Sequence, residues 1–378
     1  IRIGLASTDL LYFAAGKLNL PGAMFTASHN PAKYNGIKLC LSGAKPIGKE
    51  SGLLTIENFV REGVPVSMRS MGKESAQDML QDYVDYLLTL VDLKSIRKLK
   101  IVIDAGNGMA GHTAPAVFKR INAEVTEMFF ELDGTFPNHE ANPIDEENLA
   151  QLKQMVKKQR ADIGLAFDGD ADRCFLVDEK GNAVNPSLLT ALIAERELTK
   201  HPNSSIIYNL ISSRAVREVI KEHGGKAIRS RVGHSFIKAL MAESGAVFGG
   251  EHSGHFYFSD FWRADSGMLA ALHAIAALGS SNLKLSELLA PYSRYFSSGE
   301  INSKVKDGAK TMESLKISYQ DKPGVSIDEL DGLTVDGDTW WFNVRASNTE
   351  PLLRLNVEAK SEAQMADLRD QLLALIRS

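Results

Sequence analysis

Between residues 168 and 173 the chain reads DGDADR, which sets Asp168, Asp170 and Asp172 at alternate positions with Arg173 directly after them. Like charge so concentrated calls for a counter-charge, and alternate carboxylates on a tight loop can face one hard cation at oxygen-ligand distance. Arg173 adds a planar fork suited to phosphate. The runs ADIGLAF and CFLVD on either side are short and apolar, so the loop is expected between two strands. A single DxD reads plainly as a solvated acidic turn. Three alternating carboxylates followed by arginine point instead to metal-assisted handling of a phosphate. Glu179 falls at the twelfth position counted from Asp168, as in a helix–loop–helix calcium site. That alternative fails, because Arg173 stands where such a loop needs glycine and the flanks are strand-like.

Three more loops carry chemistry. TASHNP, Thr26 to Pro31, puts Ser28 on a strand-to-loop turn beside His29 and Asn30. Its hydroxyl suits a nucleophile or a phosphate carrier, although such residues also build plain turns. A Ser/His hydrolase is disfavoured: neighbours on an extended strand face opposite ways, and no GxSxG elbow occurs in the chain. Lys38, in NGIKL, is the nearest cationic acid/base candidate, with a solvated surface lysine as the alternative. GEHSGH, Gly250 to His255, alternates Glu251, Ser253 and His255, so an extended loop aims all three the same way. Carboxylate, hydroxyl and imidazole together suit sugar hydroxyls; metal binding by His252 and His255 is the competing reading. His234, in RVGHSFIK, either transfers protons or caps the helix that follows. RASNTEP, Arg345 to Pro351, offers many donors to one anion, or forms a turn between strands.

GNGMAG, Gly106 to Gly111, matches a dinucleotide fingerprint after a strand, with Glu131 twenty residues further on. Asp104 and Ala105 separate strand from glycine, however, and a tight strand–turn–helix connection is the structural reading.

These loops need a scaffold. Small apolar strands run into polar loops three times: GAMF into TASHNP, IGLAF into DGDADR, AVFGG into EHSGH. Ligand groups gather at the carboxyl ends of strands in α/β sheets, so three similar units facing one cleft are expected. QDMLQDYVDYLLTLV predicts a helix over 77–91, with Met79, Leu80, Tyr83, Tyr86, Leu87 and Leu90 on one stripe. EENLAQLKQMVKK predicts another, acidic first and basic last, matching the helix dipole. The last segment alternates Leu353, Leu355 and Val357 with Arg354, Asn356 and Glu358, a half-buried strand. A closing helix is expected to be capped at Ser361, with Gln364 completing a capping box and Met365, Leu368, Leu372 and Leu375 inward. Strands followed by one helix suggest a small α+β domain.

The 378 residues allow two to four domains, and 24% charged with 44% hydrophobic residues is ordinary for a soluble globular chain. Net charge of −4 without a long basic run argues against nucleic acid. Met268 to Leu278 is too short for a bilayer span and is interrupted by His273. Only Cys40 and Cys174 occur, which fits a reducing compartment, and a cytoplasmic protein is expected. The sequon Asn203–Ser204–Ser205 carries no weight without a secretory signal. Ile1 opens as though in mid-strand, so a fragment or processed chain is expected.

TASHNP, DGDADR, GEHSGH and RASNTEP, in this order and at these separations, resemble the α-D-phosphohexomutase superfamily over nearly the whole chain. SGEINSKV, Ser298 to Val305, and SNTEP resemble its bacterial phosphomannomutase, or phosphomannomutase/phosphoglucomutase, type. The resemblance implies three similar mixed-sheet α/β domains around a central cleft, 1–93, 94–183 and 184–296, plus a C-terminal α+β, TBP-like domain, 297–378. It implies a phosphoryl group on Ser28, and Mg²⁺ held by Asp168, Asp170, Asp172 and a phosphoserine oxygen. Glu251 and Ser253 would grip sugar hydroxyls, with His255 nearby and His29 also toward substrate. Arg345, Ser347, Asn348 and Thr349 would hold the phosphate not being transferred. Lys38 and His234 would move protons, with Arg173 beside the transferring group. The implied reaction interconverts mannose 1-phosphate and mannose 6-phosphate, and possible glucose counterparts, through a hexose 1,6-bisphosphate. Glucose or mannose 1,6-bisphosphate would act as activator, in a monomer or dimer with hexose phosphates as partners. Family members usually open with a further strand, helix and arginine, so the first domain is expected to be truncated, with an unpaired sheet edge and weak activity. Ile211 stands where many bifunctional members have a lysine. The competing readings are an inactive phosphosugar-binding fragment and a dinucleotide-binding dehydrogenase.

Overall fold

The computed structural model describes residues 1–64, 72–347 and 352–377. Four α/β units follow one another along the chain. The first holds helix α1 (Thr8–Leu18), strands β1 (Gly22–Phe25), β2 (Ile37–Leu41) and β3 (Lys45–Pro46), and helix α2 (Leu54–Glu62); α3 (Leu80–Leu90) leads out of it. The second runs β4 (Leu99–Asp104), α4 (Ala110–Phe118), β5 (Ala123–Met128), α5 (Ala150–Gln159), β6 (Ile163–Phe167), β7 (Cys174–Asp178) and β8 (Ala183–Val184). After α6 (Pro186–Lys200) the third repeats that order as β9 (Ser205–Asn209), α7 (Arg214–Glu222), β10 (Lys226–Ser230), α8 (His234–Ser244), β11 (Phe248–Gly250), β12 (Phe256–Phe258) and β13 (Ala264–Asp265). It closes with α9 (Gly267–Gly279) and α10 (Leu285–Leu289).

The repetition extends to hydrogen bonding. The second and third sheets have the orders β5-β4-β6-β7-β8 and β10-β9-β11-β12-β13, parallel among the first three strands and antiparallel after them. The antiparallel β1-β2-β3 sheet, preceded by α1, matches the last three strands of that pattern. In each unit the polar loop leaves the strand at which pairing turns antiparallel: β1, β6 and β11. The faint repeat in the sequence is thus a repeat of topology, and it delivers three loops from equivalent places.

One apolar core runs through the first three units. Phe13 lies 5.8 Å from Tyr83 and 6.1 Å from Trp262, and Tyr86 lies 5.1 Å from Trp262, ring centre to ring centre. These contacts tie α1 and α3 to the third unit, and aromatic pairs of this kind exceed their area burial by about 1 kcal/mol each. Phe25, Leu5, Ile37 and Val60 in the first unit remain exposed.

The fourth unit is an antiparallel sheet, β14 (Phe296–Lys304), α11 (Gly308–Tyr319), β15 (Ser326–Asp328), β16 (Leu333–Asp336), β17 (Trp340–Ala346), β18 (Leu352–Ala359) and α12 (Glu362–Ile376), in the order β14-β18-β17-β16-β15. It has its own core around Leu315, Phe342, Leu355 and Leu372.

Several elements differ locally from the sequence reading. The helix expected from Gln77 starts at Leu80, because the Gln77 amide donates to the Arg2 carbonyl (2.9 Å) and holds that stretch extended. The stretch Glu146–Leu149 is a separate 3-10 turn before α5. Ser361 caps α12 through the Gln364 amide (3.3 Å), but the Gln364 side chain donates to Thr339 Oγ1 (2.8 Å) instead of closing a box. Leu375 is 48% exposed, and Ile376 takes the inward place. The polar side of β18 is not solvated: Glu358 accepts from Trp341 Nε1 (2.6 Å) and the Arg214 amide (2.9 Å), so the third unit covers it.

Candidate active site

The loops after β1 and β6 touch through glycine. A Cβ on Gly169 would stand 2.3 Å from the Ser28 carbonyl oxygen, so only glycine admits the approach. Gly108 packs on Gly169 in turn, its virtual Cβ 2.6 Å from the Gly169 carbonyl oxygen, and the Met109 amide donates to that Gly169 oxygen (2.9 Å). GNGMAG is therefore a buttress for the acidic loop: the first amides of its helix face protein, where a dinucleotide reading needs them to face a pyrophosphate.

The three aspartates are buried, and oxygens from all three lie within 4.8 Å of one another. Asp168 accepts from Ser28 Oγ (3.0 Å), Arg173 Nε (2.8 Å) and the Arg173 amide (3.1 Å). Asp170 accepts from Thr8 Oγ1 (2.8 Å) and Thr26 Oγ1 (3.0 Å), and Lys38 Nζ lies 2.8 Å from it. Lys38 also bonds Asp172, which faces His255 Nε2 at 3.5 Å. Three buried carboxylates meet two cations, Arg173 and Lys38, leaving a net negative charge. Burial pushes Asp168 up to about 7 although Arg173 pulls it down. Burial alone would lower Lys38, but Asp172 and Asp170 outweigh it and hold the ammonium well above the usual lysine range.

A hard divalent cation fits this cluster. The donors are all carboxylate oxygens, the charge is uncompensated, and Asp170 Oδ1 is buried without a hydrogen-bond partner among the described residues. Of the His252 and His255 metal reading, His255 groups with Asp172 and Asp265 in a second candidate ligand cluster, whereas His252 joins neither cluster among the described residues.

Ser28 holds φ at +54°, a left-handed turn fixed by its amide donating to Thr26 Oγ1 (2.8 Å). Its Oγ lies 3.2 Å from His29 Nδ1, and burial followed by Arg173 lowers His29 to about 4, so that ring is neutral at pH 7. The sugar-loop candidates converge on the same place. Arg173 pairs with His255 in an isolated antiparallel bridge, and the Cys174 amide donates to the Gly254 carbonyl (3.2 Å). Ser253 Oγ lies 3.0 Å from His255 Nδ1. Buried Glu251 accepts from Tyr257 (2.7 Å) and from the Gly233 amide (3.2 Å), just ahead of His234, which opens α8. The His234 side chain, and Asn348 and Thr349 entirely, lie outside the described residues.

A cavity of about 810 Å³ spans the second, third and fourth units, lined among others by Asn142, Ile211, Ser253, Glu300, Arg345 and Arg354. Asn142 accepts from Arg173 (3.3 Å) and so links cavity to acidic loop. Arg345 is at the end of β17, and the Ser347 amide closes the hairpin onto the Leu352 carbonyl (3.0 Å). Sequence reasoning missed Thr8, Thr26, Asn142, Tyr257 and Glu300. Glu300 lay inside the SGEINSKV string and Thr26 opened TASHNP, both already singled out; the others had no local signature.

Acidic loop, serine turn and GEHSGH loop on one repeated α/β scaffold, with arginines on a fourth unit lining the same cavity, are the fold and site of a phosphohexomutase, an isomerase of the phosphotransferase kind. Comparison with known proteins agrees. The phosphoglucomutase/phosphomannomutase family is matched by all its domains: α/β/α domain I over residues 1–64, domain II over 81–181, domain III over 185–295 and the C-terminal domain over 300–375. A phosphomannomutase of Vibrio cholerae is 39% identical over 386 residues, covering 100% of this chain and 83% of its own length. One of Escherichia coli is 37% identical over 388 residues, covering 100% and 85%. A Burkholderia thailandensis phosphoglucomutase/phosphomannomutase family protein superposes with a TM-score of 0.88 at 31% identity, over 99% of this chain and 81% of that one. The chain belongs to the phosphoglucomutase/phosphomannomutase family. The domain I match begins at residue 1 and lends no support to the expected truncation. Among the described residues no helix is long and apolar enough to cross a membrane.

Proposed function

We propose that this enzyme interconverts mannose 1-phosphate and mannose 6-phosphate through a phosphoserine at Ser28 and a hexose 1,6-bisphosphate, with glucose phosphates as possible second substrates. The observation that carries the reading is Ser28 Oγ at 3.0 Å from Asp168, beside three clustered carboxylates and Arg173. Asp168, Asp170, Asp172 and a phosphoserine oxygen would hold Mg²⁺, which when bound supplies positive charge to the phosphoryl group.

Transfer breaks the bond from phosphorus to Ser28 Oγ as one forms to the free sugar hydroxyl. His234 suits taking the hydroxyl's proton and Lys38, held as an ammonium, giving one of its own to the leaving Oγ; the return transfer, run in the opposite sense, restores both groups. Arg173 offsets charge on the transferring group, while positioning supplies the rest. Glu251, Ser253 and His255 hold hydroxyls in either sugar orientation, with His29 beside the serine. Arg345, Ser347, Asn348 and Thr349 hold the phosphate that stays. The bisphosphate then turns end for end and returns its other phosphate to Ser28. Glucose 1,6-bisphosphate would prime the serine.

Phosphorus NMR on mannose 1-phosphate, with Mg²⁺ and a trace of glucose 1,6-bisphosphate, tests the proposal. Mannose 6-phosphate should appear, and Ser28→Ala should abolish both it and the added phosphate mass on the intact protein. Turnover of glucose 1-phosphate alone would overturn the sugar assignment, and turnover without phosphate on Ser28 would overturn the mechanism.

A further inference from the structure

Arg345 and Arg354 stand directly opposite each other on β17 and β18. Like charges at paired positions repel, so the strand pair needs a counter-ion. Glu300 supplies it from β14, across the other edge of β18. Its Oε2 accepts from Arg345 at 2.7 Å and its Oε1 from Arg354 at 3.2 Å. All three line the cavity that also reaches Ser253 and Asn142. Side-chain exposure is 12% for Arg345, 24% for Glu300 and 32% for Arg354, so the carboxylate is only partly screened by water.

The pairing leaves the arginines unsaturated. A guanidinium has five donors, and the Nε of both Arg345 and Arg354 is buried without a hydrogen-bond partner among the described residues. Two forks with spare, desolvated donors converge on one carboxylate, an arrangement that a larger anion with more oxygens would satisfy better. An incoming phosphate meets Glu300 as a like charge and must displace it from at least one fork.

We infer that Glu300 is a built-in competitor: it occupies Arg345 and Arg354 in the resting enzyme and weakens their hold on the distal phosphate. Arg354 thereby becomes a second guanidinium for that phosphate. The inference rests on the proposed reading of Arg345 and deepens it. A site that must release a bisphosphate for reorientation and then grip it by its other end gains from a loose hold. A fully complementary pocket would trap the intermediate.

The test is the affinity of the full chain for inorganic phosphate, followed by phosphorus NMR in EDTA so that the acidic loop holds no divalent cation. Glu300→Gln keeps size and an acceptor oxygen but removes the charge, and should tighten phosphate binding about fivefold, the scale of one partly exposed ion pair. Glu300→Ser should shift it the same way, while Arg345→Gln and Arg354→Gln should each weaken it. In turnover, Glu300→Gln should lower KM for the hexose phosphate and kcat together. A purely structural Glu300 predicts the opposite, since splayed arginines bind phosphate less well. Equal or weaker binding in both Glu300 variants, with loss in Arg345→Gln, overturns this inference alone. Unchanged binding in Arg345→Gln removes the phosphate reading of the cavity and this inference with it.

Discussion

The carbonyl oxygen of Ser28 lies 2.3 Å from the point where a side chain on Gly169 would begin. Serine turn and acidic loop come from different units, and this glycine is where they are pressed together. Gly169→Ala should therefore push Ser28 away from Asp168. A displacement of about 1 Å at a reacting group costs on the order of 100-fold in rate. Steady-state kinetics should show that loss in kcat, while circular dichroism shows a folded protein. Unimpaired turnover would mean that the contact is incidental.

Loading the acidic cluster should stabilise the protein. Three buried carboxylates with one uncompensated charge repel until a cation enters, and ligand binding to the native state raises Tm by mass action. Saturating Mg²⁺ should raise the midpoint by roughly 3 °C in differential scanning fluorimetry. Asp170→Asn should erase most of that rise and cut kcat on the order of 100-fold. An equal rise in wild type and variant would place the ion elsewhere.

Arg214 ties the fourth unit to the third. Its side chain, 8% exposed, bonds Asp336 and donates to the carbonyls of Gly337 (2.7 Å) and Trp340 (3.0 Å). Truncation leaves Asp336 and these carbonyls short of a buried partner, a loss of about 3 kcal/mol. Arg214→Ala should shift Trp341 fluorescence, lower the unfolding midpoint and raise KM more than it lowers kcat, since Arg345 and Arg354 ride on the loosened unit. Arg214→Lys should restore little, because one ammonium cannot span the separated acceptors.

His273 gives the fold an acid limit. It is buried in α9, stacked 5.2 Å from Phe258, with Nδ1 facing Arg196 Nε at 3.4 Å. Burial and then Arg196 lower it from 6.5 to about 3. The unfolded chain therefore takes up the proton first: stability is intact above pH 6.5 and is lost as the pH falls toward 3. Urea titrations at pH 7 and pH 5 should show His273→Gln losing about 2 kcal/mol less than wild type between the two values. Parallel losses would show that His273 does not set the limit.

Much of the candidate site could be read along the chain. Asp168, Asp170, Asp172 and Arg173 are adjacent in sequence, and alternation on one short loop lets local geometry turn the carboxylates the same way. Glu251, Ser253 and His255 were legible for the same reason, as was Ser28 on its turn. The strands behind them announced themselves by apolar runs ending in polar loops. Where the reading went astray, a distant partner decided: Arg2 held Gln77 out of α3, and Thr339 took the Gln364 side chain from its capping box.

The sequence by itself determined the chemistry each loop could offer, because donors and charges a few residues apart are bound to share a neighbourhood. Only the tertiary structure decided what faces them. Thr8, Thr26 and Lys38 reach Asp170 across 162, 144 and 132 residues, and Glu300 finds Arg345 and Arg354 only once β14 pairs with β18. Such partners leave no local pattern, since sheet order and unit packing bring them together, and those follow from burying apolar faces far from the charges themselves.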